Sequence, residues 1–410
     1  MKEQRFIRLL ILGLLSAIGP FSIDMYLPGF PDIAKDLHTD VSKVSLTLSG
    51  FFVGISAGQL LYGPLLDKYG RKKPLYIGMA LYILASFGCV LARSIEILIG
   101  LRFLQAIGGC VGMVASRAIV RDLFDVKENA KIFSLLMLVV GVSPIIAPTA
   151  GGYLAAAFGW QSIFIVLGAI GTIILAMVFF LLPESKKPDP EYSLYPRAIL
   201  GKFGAVFSER QFVTYAFAGS FTAAGLYAYI AGSPHVFMEI FGVSEKVYGW
   251  IFTIIAAGLV TATQINARIL KKCSSEYIIP RAVSFQTLAG FLLFVGFALN
   301  WWGLYSSILL CCIFLACQGF TFPNASALAI APFRENAGSA SALLGGIQMA
   351  VGALSTVMVS LFHNKTAVPM GGMMAFCAAT ALCILISGKR GIKKRNESIE
   401  SQTVDMLKRL

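Results

Sequence analysis

Two charged residues, Asp24 and Arg102, stand within long apolar stretches of the sequence. An ionised carboxylate is costly at membrane depth, so an acid in such a place is a candidate for binding a proton. An arginine at the same depth could pair with the acid and then release it to a proton or a cationic substrate. Two structural alternatives remain: Asp24 could lie at a membrane surface, and the two charges could form a permanent buried ion pair.

The composition indicates that lipid is the solvent for most of the chain. Of its 410 residues, 57% are hydrophobic and 13% are charged, and the mean hydropathy is +0.76. Soluble domains contain about 45–50% apolar residues. We therefore predict an all-α membrane protein, and roughly twelve spans of about 20 residues fit into the chain.

Uncharged runs set the positions of these spans, because a charge at bilayer depth is rare. Two runs, Ile132 to Pro183 and Ala282 to Phe333, are each long enough for two helices joined by a turn. The twelve predicted spans are 6–26, 44–66, 74–92, 97–120, two within 132–183, 211–238, 247–267, two within 282–333, 338–362 and 366–388.

The distribution of charge predicts that both termini are cytoplasmic. If the N-terminus is cytoplasmic, most of the 34 Lys and Arg residues fall on that side of the membrane, as the positive-inside rule requires. The net charge of +13 is then a feature of topology and gives no indication of nucleic-acid binding. The basic N-terminus leads into an apolar stretch without a clear small-residue cleavage site, so we interpret it as an uncleaved first span.

A polar stretch divides the chain in the middle. We predict an N-terminal six-helix half (1–183), a cytoplasmic linker (184–210), a C-terminal six-helix half (211–388) and a basic cytoplasmic tail (389–410). A faint repeat supports the two halves, since Val41-Ser42 opens the second span and Val243-Ser244 opens the eighth. Duplicated halves place a substrate site at the membrane midplane, with transport by rocking one half against the other.

The loop between the second and third spans contains a dense motif, Gly63-Pro64-Leu65-Leu66-Asp67-Lys68-Tyr69-Gly70-Arg71-Lys72-Lys73. Glycines permit a tight turn, while the Asp and the basic cluster can make charge-assisted contacts between helix ends. The alternative is a positive-inside loop with an incidental Asp. The motif looks like the signature loop of the major facilitator superfamily. That resemblance implies that Asp67 anchors its helix against the start of the eleventh span, near Gly338 and Ser339, in an outward-open state.

Two further motifs resemble those of the same superfamily. The segment from Arg102 to Gly109 resembles its intramembrane arginine motif, and the segment from Ser143 to Gly152 looks like its antiporter motif. The antiporter-type positions are Pro144, Pro148, Gly151 and Gly152. Ser143 and Ala147 stand where that motif usually has Gly. We expect Pro148, Gly151 and Gly152 to pack the fifth span against a helix of the opposite half; the alternative is that these residues form only a kink and a packing seam.

Five segments together resemble the Bcr/CflA family of bicyclomycin-resistance and multidrug:proton antiporters. They are Asp24 to Pro31, Arg117 to Asp122, Gly232 to Pro234, Pro323 to Leu328 and Ser341 to Gly345. The resemblance implies a bacterial inner-membrane location, export and proton coupling.

The same resemblance places the outer end of the first span near Pro31. If the fourth span begins near Ser94, a rise of 1.5 Å per residue puts Asp24 about 10 Å and Arg102 about 12 Å from the outer ends. The two charges can therefore lie level. We predict that Asp24 carries the transported proton and that Arg102 is its alternating partner.

The remaining candidate residues are polar or aromatic side chains in the spans and basic or acidic side chains at a span end. The predicted C-terminal half has no Asp, Glu, Lys or Arg at membrane depth, so neutral groups would line its side of a loosely selective cavity. The cavity candidates are Tyr26, Gln105, Tyr227, Tyr229, Gln264, Asn324 and Gln348. Arg117, Arg121 and Asp122 close the fourth span, where the resemblance implies gating but interfacial anchoring explains them equally well.

These observations predict a proton-coupled exporter of small organic compounds, with a midplane cavity, no cofactor and no feature that requires more than a monomer. Its expected partners are the substrate, protons and the lipid bilayer. An importer or a metabolite exporter could use the same cavity. A membrane receptor would carry no flux, and an intramembrane enzyme is disfavoured because the sequence shows neither a metal-ligand cluster nor a nucleophile with its base. The eight cysteines show no metal spacing, and no Gly-x-x-x-x-Gly-Lys loop indicates direct use of ATP.

Overall fold

The computed structural model describes residues 2–124, 126–189, 196–333, 337–362 and 364–409. These residues form helices joined by short connections, without β-strands. The helices are α1 (Lys2–Asp24), α2 (Phe30–Asp36), α3 (Val41–Tyr69), α4 (Lys72–Val90), α5 (Ile95–Leu123), α6 (Val126–Phe158), α7 (Gln161–Leu181), α8 (Pro196–Phe207), α9 (Arg210–Pro234), α10 (Glu245–Ile269), α11 (Ser275–Ala298), α12 (Leu304–Ile330), α13 (Ala337–Leu361) and α14 (Val368–Arg409).

Eleven helical segments in the described part of the chain are long and apolar enough to cross a membrane. Helix α9 is not among them, although its 25 residues are sufficient in length. Most of its side chains are buried, and it packs against α12, α13 and α14. Because α9 contacts protein rather than lipid, its sequence is rich in Ala, Gly, Ser and Thr. With α9, the structure reaches the predicted twelve spans.

The first span is longer than the sequence indicated. After α1 ends at Asp24 the chain forms a 3₁₀ turn at Leu27–Gly29 and then continues as α2 to Asp36. The two prolines of this stretch stand in the first turn of their helical segments, where a missing N–H costs no internal hydrogen bond. The predicted exit near Pro31 is therefore wrong, and Asp24 lies deeper than predicted from this end.

The helices pack as two groups of six spans. In the first half, α3 and α4 pack on α5, and α1 packs on α5 and α6; in the second half, α11 packs on α12 and α14, and α9 packs on α14 and α13. The halves meet mainly through two helix pairs, α3 with α13 and α6 with α10, and α3 also contacts α9. Helix α8 lies in the connecting segment and contacts α9 and α13. The predicted linker 184–210 includes residues 190–195, which lie outside the described residues.

We call the side on which α1 begins and α14 ends the terminal side, and the opposite side the distal side. Helices α3 and α13 are joined at the distal side by hydrogen bonds from Ser42 Oγ to the Ser360 carbonyl (3.2 Å) and between Ser49 Oγ and Thr356 Oγ1 (2.6 Å). Farther along the same helix face, Ser56 Oγ donates to the carbonyl of Gly346 at 2.9 Å.

Toward the terminal side this seam opens. A side-chain carbon placed at Gly63 of α3 or at Gly338 of α13 would meet no other atom within 4 Å. Helices α6 and α10 show the same pattern, because their hydrogen bonds, from Thr149 to Thr253 (2.8 Å) and from Thr253 to the Ile145 carbonyl (2.7 Å), lie in the distal half of α10. The two halves are thus closed at the distal side and apart at the terminal side.

Candidate functional site

Asp24 lies at the end of α1, where the first span becomes irregular, and is 4% exposed. Within the described residues its carboxylate forms no hydrogen bond or ion pair. Its carboxylate lies within range of electrostatic interaction with the hydroxyl groups of Tyr227, Tyr229 and Tyr248. All three belong to the second half, so Asp24 faces the interface between the halves. A dehydrated carboxylate without a partner is costly when ionised, and binding a proton or a cation removes that cost.

Tyr227 connects this acid to both halves. Its hydroxyl lies 3.4 Å from Gln348 Nε2 and 3.7 Å from the sulfur of Met349. Its ring centroid lies 4.5 Å from that of Phe52, which belongs to α3 in the first half. The predicted cavity residues Tyr227 and Gln348 are therefore brought together, with Phe52 and Met349 as neighbours that the sequence did not single out.

Tyr229 and Tyr248 extend the aromatic wall. Tyr229 is fully buried and its ring lies 5.5 Å from that of Phe252, while its hydroxyl has no hydrogen-bond partner among the described residues. Tyr248 shares a hydrogen bond of 2.8 Å with Ser233. Tyr248 was missed because it follows the polar start of α10 and looked like part of a span end.

Arg102 has other partners than the predicted one. Its side chain is fully buried, and Nη1 donates to Gln105 Oε1 at 2.5 Å while Nη2 donates to the carbonyl of Ser22 at 2.8 Å. The guanidinium also lies over the rings of Tyr26 (4.3 Å) and Phe51 (4.2 Å). These contacts hold the charge inside the first half.

The predicted alternation between Asp24 and Arg102 thus finds no ion pair in this structure. Arg102 does lie beside the last turn of α1, since it binds the carbonyl of Ser22, two residues before Asp24, although the exit near Pro31 from which their depths were counted is wrong. Residues two apart on a helix point about 200° from each other, so Ser22 and Asp24 face opposite ways. The guanidinium faces the core of the first half, while the carboxylate faces the second half.

Three of the predicted cavity residues serve as internal supports instead. Tyr26 and Gln105 are fully buried, and Gln105 Nε2 donates to Ser86 Oγ at 2.8 Å while the Tyr26 hydroxyl bonds to Thr47. Both residues therefore belong to the shell around Arg102. Asn324 is 2% exposed within the second half, where its Nδ2 donates to Asn266 Oδ1 at 2.8 Å.

Gln264 differs from these three because its side chain is exposed. It lies on the same face of α10 as Gly249, Thr253 and Val260, which approach α6. At the level of Gln264 the halves have separated, so this face borders the opening between them.

The antiporter-type segment of α6 packs in two directions. A side-chain carbon at Gly152 would lie 2.8 Å from the carbonyl oxygen of Glu245. A side-chain carbon at Gly249 of α10 would lie 2.9 Å from the carbonyl oxygen of Pro148. Gly152 and Pro148 therefore pack against the opposite half, as predicted. Gly151 instead packs against the backbone of Met25 in its own half. The prediction for Gly151 is therefore wrong, since one turn of helix presents adjacent glycines to different neighbours. Pro144 stands within α6 and is half-buried.

The loop motif forms a network of ion pairs at the terminal side. Arg71 binds Asp122 through two nitrogens, at 2.7 and 3.2 Å, and binds Asp67 at 3.0 Å. Burial alone would lower the pKa of Arg71, but Asp122 and Asp67 raise it, so the guanidinium stays charged. Gly70 takes a positive φ of 82°, which a residue with a side chain rarely adopts.

The predicted contact of Asp67 with the start of α13 is absent in this arrangement. Asp67 binds Lys186 of the linker at 2.9 Å, while Gly338 has open space around it. Of the predicted gating residues, Asp122 is bound to Arg71, whereas Arg117 and Arg121 are exposed.

Residues 12–356 match the family model of the Major Facilitator Superfamily. The chain belongs to this superfamily. It is a multi-pass membrane transporter rather than an enzyme, and its match to relatives named for bicyclomycin and multidrug resistance agrees with the resemblance seen in its sequence.

The transporter is 32% identical to the bicyclomycin resistance protein homolog of Haemophilus influenzae, over 96% of this chain and 99% of that protein. It is 35% identical to the uncharacterized MFS-type transporter YdgK of Bacillus subtilis, over 91% of this chain and 92% of the other. The multidrug resistance protein MdtL of Escherichia coli is 29% identical, over 90% and 92%.

Solved structures show the same fold at low identity. A D-xylose–proton symporter superposes with a TM-score of 0.76 at 13% identity, over 92% of this chain and 97% of the symporter. A bacterial homolog of the human lysosomal transporter Spinster, in an inward-facing and unoccupied conformation, gives 0.71 at 14% identity, over 95% and 96%. The transporter therefore has the predicted major facilitator fold of two six-helix halves.

Proposed function

We propose that this transporter exports small organic compounds from the cytoplasm of a bacterium in exchange for protons. The observation that carries the proposal is the unpaired, buried carboxylate of Asp24 at the interface between the halves. The names of the relatives support drugs as the compounds, and the excess of basic residues on the terminal side supports an inner membrane with cytoplasmic termini.

Asp24 is the group at which proton and substrate compete. When the halves are apart at the terminal side, an ionised Asp24 attracts a cation, and the rings of Tyr227, Tyr229 and Phe52 supply faces on which an organic cation can rest. When the halves part at the distal side, a proton takes its place and the substrate leaves. A neutral compound would bind the aromatic groups and be displaced by the change in arrangement.

Arg102 acts as a positioning residue in this scheme. Its hydrogen bond to the Ser22 carbonyl, at 2.8 Å, fixes the last turn of α1, where Asp24 lies.

Small hydroxyl groups make the seam between the halves easy to open and close. The pairs Ser49–Thr356 and Thr149–Thr253 exchange one hydrogen bond for another with water when they part, so little free energy is lost. Both halves of one chain supply the walls around Asp24, so a monomer is sufficient.

The proposal is tested with purified protein in vesicles that carry an imposed pH gradient. Native protein should accumulate a fluorescent organic cation against its concentration gradient, and Asp24→Asn should bind it weakly and accumulate none. Glu96→Gln removes an exposed acid from the first turn of α5 and should transport normally. Uphill transport by Asp24→Asn would place the proton site elsewhere. Accumulation in intact cells but not in everted vesicles would show import instead.

A further inference from the structure

The linker after α7 is docked on the loop motif through specific polar contacts. The carboxylate of Glu184 accepts the backbone N–H groups of Arg71 (2.8 Å) and Lys72 (3.0 Å), which caps the first turn of α4. Ser185 Oγ donates to Asp122 Oδ2 at 2.9 Å. The backbone N–H of Asp189 donates to the carbonyl of Lys68 at 3.0 Å, so contacts on both sides of Lys186 hold this part of the linker in place.

Between these contacts, Lys186 Nζ lies 2.9 Å from Asp67 Oδ1. The two side chains are 38% and 37% exposed, whereas the Arg71 side chain beside them is 7% exposed and bound to Asp122 by two hydrogen bonds. Exposed ion pairs are weak and exchange readily. Arg71 is thus a fixed part of the network, and Lys186 is its exchangeable part.

Asp67 lies on the face of α3 that meets the second half. That face is marked by Ser42, Ser49 and Ser56, which hydrogen-bond to residues of α13, and by Gln59, which contacts Gly345 of α13. Continuing in steps of three or four residues, the same face reaches Gly63 and Asp67. The corresponding face of α13 runs from Gly345, which contacts Gln59, back to Gly338 in the first turn of the helix.

Closing the terminal side along this seam would bring Asp67 to the start of α13. The N-terminus of a helix carries unpaired N–H groups and a partial positive charge, so it competes with Lys186 for the same carboxylate. The ion pair with Lys186 is present here while the terminal side is open. It therefore stabilises the open arrangement relative to the closed one.

We propose that Lys186 is a latch for the conformational cycle, a positioning residue that occupies Asp67 while the terminal side is open and releases it when that side closes. The inference rests on the alternating movement of the proposed function, but it concerns the balance between two arrangements and not the identity of the substrate. Neutralising Lys186 leaves Arg71 as the remaining partner of Asp67 and removes the competitor of α13, which shifts the balance toward closure of the terminal side by about two- to fivefold, the range expected for an exposed ion pair.

The test measures distances by pulsed electron paramagnetic resonance between spin labels at positions 73 and 272. Lys73 and Lys272 are exposed residues on opposite halves at the terminal side. In lipid nanodiscs at low salt, Lys186→Gln should raise the ratio of short to long distances about two- to fivefold. Lys186→Arg should keep the native ratio, and Lys187→Gln, which removes an adjacent exposed charge, should leave it unchanged.

A double-variant comparison separates the latch from a general effect of charge. With Asp67→Asn already in place, Lys186→Gln should have no further effect, because the ion pair is already absent. An unchanged distance ratio in Lys186→Gln, or an equal change in Lys187→Gln, would overturn the latch. A protein that moves between the two distances but transports no compound would instead contradict the proposed function and leave the latch supported.

Discussion

Arg102 donates a hydrogen bond of 2.8 Å to the backbone carbonyl of Ser22 and not to the carboxylate of Asp24. The arginine is therefore bound to the helix that carries the acid, and not to the acid itself. This arrangement separates two roles that an ion pair would have combined. Asp24 remains available to a proton or a substrate, while Arg102 determines where Asp24 stands.

Replacing Arg102 should accordingly affect stability. Arg102→Gln removes charge-assisted hydrogen bonds and leaves Gln105 and the Ser22 carbonyl without their partner, which should lower the free energy of unfolding by about 2–3 kcal/mol. Denaturation of the purified variant in detergent measures the loss. If the two charges formed a permanent ion pair, adding Asp24→Asn would restore part of that stability. We expect additive effects instead, because the side chains share no contact.

Two adjacent glycines of α6 should give different defects. A side chain at Gly151 meets the backbone of Met25 in the same half, so Gly151→Leu should reduce folding and yield. A side chain at Gly152 meets the Glu245 backbone across the seam, so Gly152→Leu should fold but hold the distal side open. Labelling of a cysteine at the distal seam by a membrane-impermeant maleimide distinguishes the two. Normal distal protection in folded Gly152→Leu would show that the seam adapts to the side chain.

Asn324 and Gln348 provide a matched comparison between a support and a binding residue. Asn324→Ala leaves Asn266 and Ser275 without their hydrogen-bond partner and should cost about 1–3 kcal/mol of stability, with little change in substrate affinity. Gln348→Ala removes a weak 3.4 Å contact to Tyr227 and should alter affinity with little loss of stability. Equilibrium binding and unfolding measured on the same preparations test both. A change in affinity without loss of stability in Asn324→Ala would indicate that Asn324 lines the cavity.

The loop network predicts a kinetic defect at Asp67. Asp67→Asn keeps the shape of the side chain but weakens its bonds to Arg71 and Lys186, and it offers the start of α13 no charge when the terminal side closes. We expect slower turnover with normal membrane insertion, measured as initial transport rate per inserted protein. Native turnover in this variant would show that neither partner of Asp67 limits the cycle.

The spans were predictable from the sequence because lipid imposes a simple rule on every segment that crosses it. Charge interrupts a span, so the ends of α3, α4 and α10 follow from the positions of charged residues. Helix α9 was predicted by the same rule, because residues 211–238 carry no Asp, Glu, Lys or Arg, although its burial against protein relaxes the demand for lipophilic residues. The continuation of the first span to Asp36 was missed because Pro28 and Pro31 resemble helix ends and are, in this fold, helix starts.

The direction of individual side chains was harder to predict than their depth. A rise of 1.5 Å per residue predicted that Asp24 and Arg102 lie level, and the bond from Arg102 to the Ser22 carbonyl agrees with this, although the helix exit used in the count was wrong. Whether they face one another depends on rotation about the helix axis, which tertiary packing decides. Gln105 and Asn324 illustrate the same difficulty, because a polar side chain in a span is equally suited to a cavity wall and to a hydrogen bond inside one half. The contact between Lys186 and Asp67 joins residues that are far apart in the chain, so no local sequence pattern predicts it.

The position of Asp24 also predicts selectivity for substrate charge. Asp24 is the carboxylate buried beside Tyr227, Tyr229 and Tyr248 between the halves, so one positive charge can be neutralised there and a second would remain uncompensated in a dehydrated site. Organic cations of matched size with one or two charges should therefore differ, with the doubly charged compound exported at least about tenfold more slowly, a difference of about 1.4 kcal/mol. Asp24→Asn should abolish the preference by making export of both compounds poor. Equal export of the two compounds by native protein would indicate a second acidic group in the path, or a cavity open enough to water to screen the second charge.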